Sequence, residues 1–389
     1  MSKVINIQDK KSFSAMDIET IEFKGKEIPV SISIRTKNKL EIFIIAHNLF
    51  LIDADMAIID VEVAIEELWN KFFDFIISNC NKEVIFVHNL GTFDGFFLYK
   101  ALSNRFKPEE VSCLIDTHNK FIQITLEIEK LKIVFKDSYR IFQVSLNDLC
   151  NILYLPGKSF SYKPEFHKRS LFEKSVLLEE FKDYSLQDSK CLYDCIYKLQ
   201  EMYLIDYNVV ITSILSTSTL SLKIFRTKFL KVNITILKRI DDSFVRKAYF
   251  GGATDYYQLK TTKLYHYDVN SLYPFALMKP MPFKLIRKIN FKNKNNSGFN
   301  LDEFFGYLKV EVTCPKDIKV PVLPCKFNGK TIFPTGTWIG NYFSEELKAV
   351  LSLGYKFKFI EAYEFNKNRF IYWLCKQFLW TKEKFNRSR

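Results

Sequence analysis

No run of about 18 apolar residues occurs in this 389-residue chain, so nothing in it reads as a membrane span and no membrane partner is expected. No Cys-x-x-Cys pair occurs either. The eight cysteines, Cys80, Cys113, Cys150, Cys191, Cys195, Cys314, Cys325 and Cys375, are scattered, which argues against both a zinc site and a disulfide framework. They read as reduced, buried small residues. The opening stretch "MSKVINIQDKKSFSAMDIET" lacks the apolar core of a secretory signal and the Arg-rich amphipathic character of an imported transit peptide. A reducing compartment reached without a cleaved presequence is the expectation. Internal repeats are missing as well.

What is present is apolar and basic. A hydrophobic content of 48% with 16% aromatic residues excludes wholesale disorder. At ~100 to 200 residues per domain the length suggests two or three domains. The 57 Lys and Arg outnumber the 44 Asp and Glu by 13, which suits a polyanionic partner such as nucleic acid, the alternative being a solubilising surface.

Hydropathy patterning divides the chain. "FSAMDIET", "IPVSISIRT" and "KLEIFIIAHNLFLI" read as three strands, and apolar residues at 65, 68, 69, 72, 73, 76 and 77 keep helical spacing. "EVIFVHNL" reads as a buried strand, "FIQITLEIEKLKIVFKDSY" as a hairpin turning at Glu129-Lys130, and 171–203 as a long helix. Residues 1–205 therefore predict an α/β domain, a mixed sheet flanked by helices. Residues 206–260 suit a connector, and 261–389 a second domain that opens with a strand at "KLYHYDVNSL". "RKINFKNKNNSGFNLDE" reads as a polar loop; "FGYLKVEVTC", "GKTIFPTGTWIG" and "SEELKAVLSLGYKFKFIEAYEF" supply further strands and a helix.

Carboxylates recur at suggestive spacings. In "MDIET", Asp17 and Glu19 stand two apart on a strand and leave the same face, a geometry for one divalent ion or for a solvated strand edge. In "VHNLGTFDGFF", His88 and Asn89 end a strand and Phe93-Asp94 opens a helical run. Asp94 there is an N-cap or, beside an aromatic ring and an amide, part of a single-strand nucleic-acid grip. In "DYSLQDSK", Tyr184 and Asp188 stand at i and i+4 on one helix face. Together Asp17, Glu19, Asp94 and Asp188 form a set able to hold two Mg²⁺ ions about 4 Å apart for phosphodiester cleavage.

In order and context these stretches resemble the three exonuclease motifs of the proofreading domain of family B DNA polymerases. "DIET", "HN" before the aspartate and the Tyr-x3-Asp form are similar to the protein-primed branch of small phages and linear plasmids. The resemblance implies an RNase H-like 3′–5′ exonuclease fold. It also implies that Thr20, His88, Asn89, Phe93 and Ser138 hold a single-stranded 3′ end and that Tyr184 orients a water. Lys158 of "PGKSFSY" would be the extra catalytic lysine, although its spacing to Tyr162 departs by a residue and Lys163 competes.

The second domain carries the most specific string. An aspartate in the aromatic stretch "LYHYDVNSLYPFALM" needs either a structural partner or a metal, because moving a carboxylate out of water costs several kcal/mol, roughly. The stretch resembles polymerase motif A. That implies Asp268 as a ligand for the metal that carries a deoxynucleoside triphosphate, with the Val269 carbonyl, Ser271, Leu272 and Tyr273 around the nucleotide. A ring at Tyr273 would exclude a ribose 2′-OH by clash. "KAYFGGATD" resembles the Tyr-x-Gly-Gly motif, implying that Tyr249, Gly251 and Gly252 meet the template; an ordinary Gly-Gly turn is the alternative.

Motifs B and C of that family are not found. Lys292, Asn296 and Ser297 hold the motif B spacing but sit in a polar segment only 24 residues after Asp268. The expectation is therefore an exonuclease domain followed by an incomplete α+β palm, the N-terminal portion of a protein-primed polymerase acting in DNA replication. It would use Mg²⁺ or Mn²⁺, bind primer-template DNA and a terminal priming protein, and work in a mitochondrion or on a cytoplasmic plasmid. A stand-alone nuclease and a non-catalytic DNA-binding remnant are the rivals.

Overall fold

A computed structural model describes residues 12–46, 58–159, 161–253, 260–291, 298–372 and 375–376. The chain forms two compact units, Met1–Lys228 and Phe229–Arg389. The division falls inside the stretch read above as a connector.

The first unit is built on a seven-stranded mixed sheet. In chain order its strands are β1 (Phe13–Phe23), β2 (Lys26–Arg35), β3 (Leu40–Ile44), β4 (Val84–Val87), β5 (Val111–Ile115), β6 (Phe121–Ile128) and β7 (Leu131–Asp137). They lie in the order β3-β2-β1-β4-β7-β6-β5, with β1, β4 and β7 parallel and the other neighbours antiparallel. The hairpin β6–β7 turns at Glu129-Lys130, with Glu129 at φ 48°.

Period-2 alternation separates two cores. Met16 and Ile18 of β1, with Ile85 and Val87 of β4, point to the face covered by α1 (Ile58–Asn79), whose Leu68, Trp69, Phe72, Phe73 and Ile76 are all buried. Phe13 and Ala15, with Val84 and Phe86, point to the other face, against Cys191, Leu192, Tyr193, Cys195 and Ile196 of a long helix, Ser175–Tyr207. Asp17 and Glu19 continue the parity of Phe13 and Ala15. They therefore meet that second face where its apolar packing ends.

The remaining helices of the unit are α2 (Asp94–Arg105), α3 (Leu146–Ile152), α4 (Ser175–Tyr207) and α5 (Thr217–Ile224). What lets α4 approach the sheet is small, polar packing. Ser31 and Ser33 of β2 and Ser185 of α4 are fully buried. The Ser31 and Ser185 hydroxyls lie 3.1 Å apart, and the Ser33 hydroxyl donates to the Ser185 carbonyl at 2.8 Å. Ser31 pairs across the ladder with Glu19 and Ser33 with Asp17. The helix thus touches the sheet directly beside the two carboxylates, and its next turn carries Asp188.

The second unit holds α6 (Arg239–Arg246), α7 (Leu272–Leu277) and α8 (Ser344–Val350) with a four-stranded antiparallel sheet. That sheet has the order β12-β9-β13-β8, from β8 (Met281–Asn290), β9 (Gly306–Cys314), β12 (Gly336–Phe343) and β13 (Lys356–Asn368). A small hairpin, β10 (Cys325–Phe327) with β11 (Lys330–Ile332), stands apart from it. Leu308, Val310, Val312, Tyr342 and Ala362 of the four-stranded sheet, with Leu347 of α8, form the core of this unit.

Two sequence expectations change here. Residues 287–290, read as the start of a polar loop, complete β8 because Arg287 and Lys288 find partners in Glu364 and Tyr363 of β13. The segment "KLYHYDVNSL" is not a strand: no described strand pairs with it, and its apolar side chains, Leu264, Tyr267 and Val269 among them, stand exposed. Alternating apolar residues make a strand only when a ladder and a covering face exist. Lys292, Asn296 and Ser297 lie outside the described residues.

If the serine contact sets the helix-to-sheet distance, Ser185→Leu should overpack it and lower the stability of the first unit by about 1–3 kcal/mol. Urea unfolding followed by circular dichroism measures this; an unchanged midpoint would contradict the close approach.

Candidate metal centre

Asp17 and Glu19 leave β1 on the face that α4 covers, and Asp188 enters from α4 one turn beyond Ser185. One carboxylate oxygen from each lies within 4.8 Å of the other two. Asp17 and Glu19 are half-buried and Asp188 is buried. Lys158, on the segment after α3, places its Nζ 2.5 Å from Asp188 Oδ2. Asp188 Oδ1 is buried and has no hydrogen-bond partner.

The electrostatics show how far this cluster is from balance. Burial first, then repulsion from Asp188, pushes Asp17 up to about 7, with Lys158 opposing the rise. Glu19 is raised for the same reasons, burial and then Asp17 and Asp188. Burial raises Asp188 too, against the pull of Lys158. Burial alone would lower Lys158, but its carboxylate neighbours outweigh it and hold the ammonium charged. One lysine does not neutralise three carboxylates.

An orphaned buried oxygen, three hard oxygen donors and a deficit of positive charge fit a divalent cation of the Mg²⁺ or Mn²⁺ kind. Asp94, the first residue of α2, is buried beside this trio but outside it. Its carboxylate accepts from the Ile18 N–H, and burial with repulsion from Asp17 raises it. The expected four-carboxylate set thus appears as three carboxylates around one point, with Asp94 flanking Asp17.

Tyr184 stands one turn before Asp188, buried against Phe166, with Lys158 Nζ 5.3 Å from its ring centroid. Burial and the neighbouring carboxylates push its phenol upward, so it keeps its proton. Lys163 pairs instead with Glu180 at 2.6 Å. Of the two lysines, Lys158 is the one at the cluster.

The residues expected around a DNA end divide into rim and support. Phe93 and Asn89 are exposed, Phe93 edge-on to Phe97 and Asn89 in a left-handed turn at φ 76°. Thr20 is buried, its hydroxyl donating to Glu27 at 2.8 Å, because a β-bulge at Glu19/Thr20 shifts the register there. Ser138 is fully buried between His88 Nδ1, at 3.0 Å, and the Val87 carbonyl. His88 also meets the Val144 carbonyl at 3.1 Å, and burial lowers its pKa.

Several participants escaped the sequence reading. Ser31, Ser33 and Ser185 looked like ordinary polar residues. His167 bonds both the Thr20 carbonyl and Glu27, tying the short helical turn Pro164–His167 to β1. Asp137, next to Ser138 in "KDSY", has no spacing that marks it.

In the second unit Asp268 is exposed, outside any helix or strand, and belongs to no metal-ligating group among the described residues. The desolvation cost expected for it does not arise in this structure. Val269, Leu272 and Tyr273 are exposed, and Ser271 heads α7 at φ 54°. Tyr249 is exposed, and no atom crowds the Cβ positions of Gly251 or Gly252.

The sequence profile of the family described as "DNA polymerase type B, organellar and viral" matches residues 76–172 and 157–381. The chain belongs to that family. Among its relatives, a "Probable DNA polymerase" of Ascobolus immersus is 28% identical over 419 residues, covering 94% of this chain and 32% of the relative. One of Neurospora intermedia is 25% identical, covering 78% and 36%. One of Podospora anserina reaches 36% identity over 163 residues, 41% of this chain. The chain thus spans about a third of the first two relatives, by those 32% and 36% shares.

Among solved structures, phi29 DNA polymerase complexed with primer-template DNA and incoming nucleotide superposes with a TM-score of 0.68 at 15% identity, over 94% of this chain and 63% of that one. The same polymerase with single-stranded DNA gives 0.59 at 13%, over 95% and 63%. The fold is that of the type B polymerases over this span, an α/β exonuclease-type sheet followed by part of a palm.

Because Asp17 is a stronger base folded than unfolded, it destabilises the fold once the unfolded carboxyl ionises. The loss begins as pH rises through 3.8 and is complete above about 7. Metal-free protein should therefore melt at lower temperature across that rise, and Asp17→Asn should flatten the slope. Scanning calorimetry measures both; parallel wild-type and variant profiles would contradict the charge deficit.

Proposed function

We propose that the first unit is a metal-dependent 3′–5′ exonuclease acting on single-stranded DNA ends, the proofreading part of a protein-primed DNA polymerase that works in DNA replication. The observation that carries this reading is the convergence of Asp17, Glu19 and Asp188 with one buried carboxylate oxygen left unpartnered. Mg²⁺ or Mn²⁺ would be held by that trio, and a second ion by Asp17 with Asp94. Bound ions would supply the charge that polarises a phosphate and makes water acidic enough to attack.

The chain's own groups do the rest. Tyr184 keeps its phenol proton and can hold a water by hydrogen bond. Lys158 favours the ionised form of Asp188, offsetting part of the effect of burial. Phe93 stacks on a terminal base and Asn89 hydrogen-bonds it, since stacking is tolerant of sequence. Thr20, His88 and Ser138 already have partners within the protein, so their part is to hold that rim in place.

For the second unit, Asp268, the Val269 carbonyl, Ser271, Leu272 and Tyr273 are the proposed deoxynucleotide site, and Tyr249, Gly251 and Gly252 the template contact. Family membership supports this assignment, as does the likeness to a polymerase solved with primer-template DNA. A terminal priming protein is the proposed further partner. A mitochondrial or plasmid replicon is the proposed setting, in keeping with a family described as organellar and viral. A nuclease working without polymerisation is the second reading, favoured by the lack of any metal-ligating group around Asp268 among the described residues.

Asp17→Ala combined with Glu19→Ala should lower 3′-end degradation of a labelled single strand by roughly 10³-fold or more, since several kcal/mol of charge stabilisation is lost. Binding of the same strand, read by fluorescence anisotropy, should persist. Undiminished cleavage would refute the site.

A further inference from the structure

Asp137 lies outside the carboxylate cluster, yet it is 4% exposed and accepts three backbone hydrogen bonds. Its Oδ1 takes the N–H of Asn89 at 3.0 Å and that of Tyr139 at 2.9 Å, and its Oδ2 takes the N–H of Gly91 at 3.0 Å. Strands β4 and β7 are parallel and in register, with Val87 beside Asp137. The carboxylate ending one strand therefore meets the turn that leaves the other.

That turn has no slack. Asn89 is left-handed, and a methyl at Gly91 would come within 2.7 Å of the Phe121 carbonyl and 3.1 Å of Asp137 Oδ2. At Gly95, just inside α2, a methyl would meet the Leu90 carbonyl at 2.4 Å. The five residues from Asn89 to Phe93 thus pass one position, Gly91, with room for bare backbone alone, and lead to Asp94. Arg140 Nε stands 4.0 Å from Asp137 Oδ2, and the same guanidinium bonds Asp116 at 2.5 Å, which in turn accepts the N–H groups of His118 and Lys120.

Converging N–H groups form a nest that holds an anion, and here the anion is the chain's own carboxylate. We propose that Asp137 is a positioning residue: by gathering the N–H groups of Asn89 and Gly91 it fixes where the turn ends, and so where Asp94 stands relative to Asp17. This rests on the exonuclease reading and deepens it, assigning the geometry of the second ion's ligand to a residue that touches neither metal nor DNA. Arg140, itself held by Asp116, stands beside the same carboxylate oxygen.

Asp137→Asn keeps the shape but puts an amide NH₂ against backbone donors. In the full chain it should lower the kcat of single-strand degradation tenfold or more and weaken Mn²⁺ binding, followed by electron paramagnetic resonance with the metal alone. The KM for the strand should rise as well, because the same turn carries Asn89 and Phe93, and raised Mn²⁺ should restore much of kcat. A role in folding alone would shift the melting temperature and leave the Mn²⁺ requirement where it was. If Asp137→Asn does not fold, Gly91→Ala disturbs the turn from the opposite side and takes the same readouts. Normal Mn²⁺ affinity and normal kcat in the folded variant would overturn the proposal while wild-type cleavage stands. A wild type that neither binds Mn²⁺ nor cleaves would instead overturn the nuclease reading beneath it.

Discussion

Asp17, Glu19 and Asp188 repel one another, and much of the first unit is arranged to keep them within reach of a single cation. Near a protein surface each ionised pair at such separations opposes folding by roughly 3 kcal/mol. The opposing force is the packing of α4 on the sheet. Ser31, Ser33 and Ser185 bring the helix close because their side chains are small, and their hydroxyls satisfy one another and a carbonyl in the buried contact. Lys158 relieves part of the repulsion. The remainder is stored as raised carboxyl pKa values and one oxygen without a partner, a state that a divalent ion would relax.

Alternation along β1 explains how an apolar strand comes to present two acids. Phe13, Ala15, Asp17 and Glu19 share a face, and the change from core to site is a change of residue type along one unbroken strand. Asp188 reaches the same place by a different periodicity, one helical turn past the serine contact. Asp94 arrives by a third route, a strained turn whose shape is set by Asp137 and by two positions that exclude a side chain. Three unrelated local geometries meet at Asp17.

This origin decides what could be read from the sequence. The Asp17/Glu19 face, the Tyr184/Asp188 spacing and the turn at Glu129-Lys130 follow from period and propensity, which are local, and the structure places all three accordingly. The choice between Lys158 and Lys163 depended on how a loop packs against α4, which spacing does not encode. Ser31, Ser33, Ser185 and Asp137 act through contacts at long sequence distance and carry no pattern of their own. "KLYHYDVNSL" misled in the opposite way, since its alternation describes a strand but cannot supply the neighbour that makes one.

The two units differ in completeness among the described residues: one gathers its carboxylates, while Asp268 of the other stands in exposed chain with Leu264, Tyr267 and Tyr273 uncovered beside it. The central claim, that distant acids converge to bind a metal, is most directly tested by anomalous diffraction from crystals grown with Mn²⁺. The account predicts a peak ligated by Asp17, Glu19 and Asp188, with Asp188 Oδ1 among the donors. A crystal in which Mn²⁺ is absent from that point and the three carboxylates face apart would contradict it.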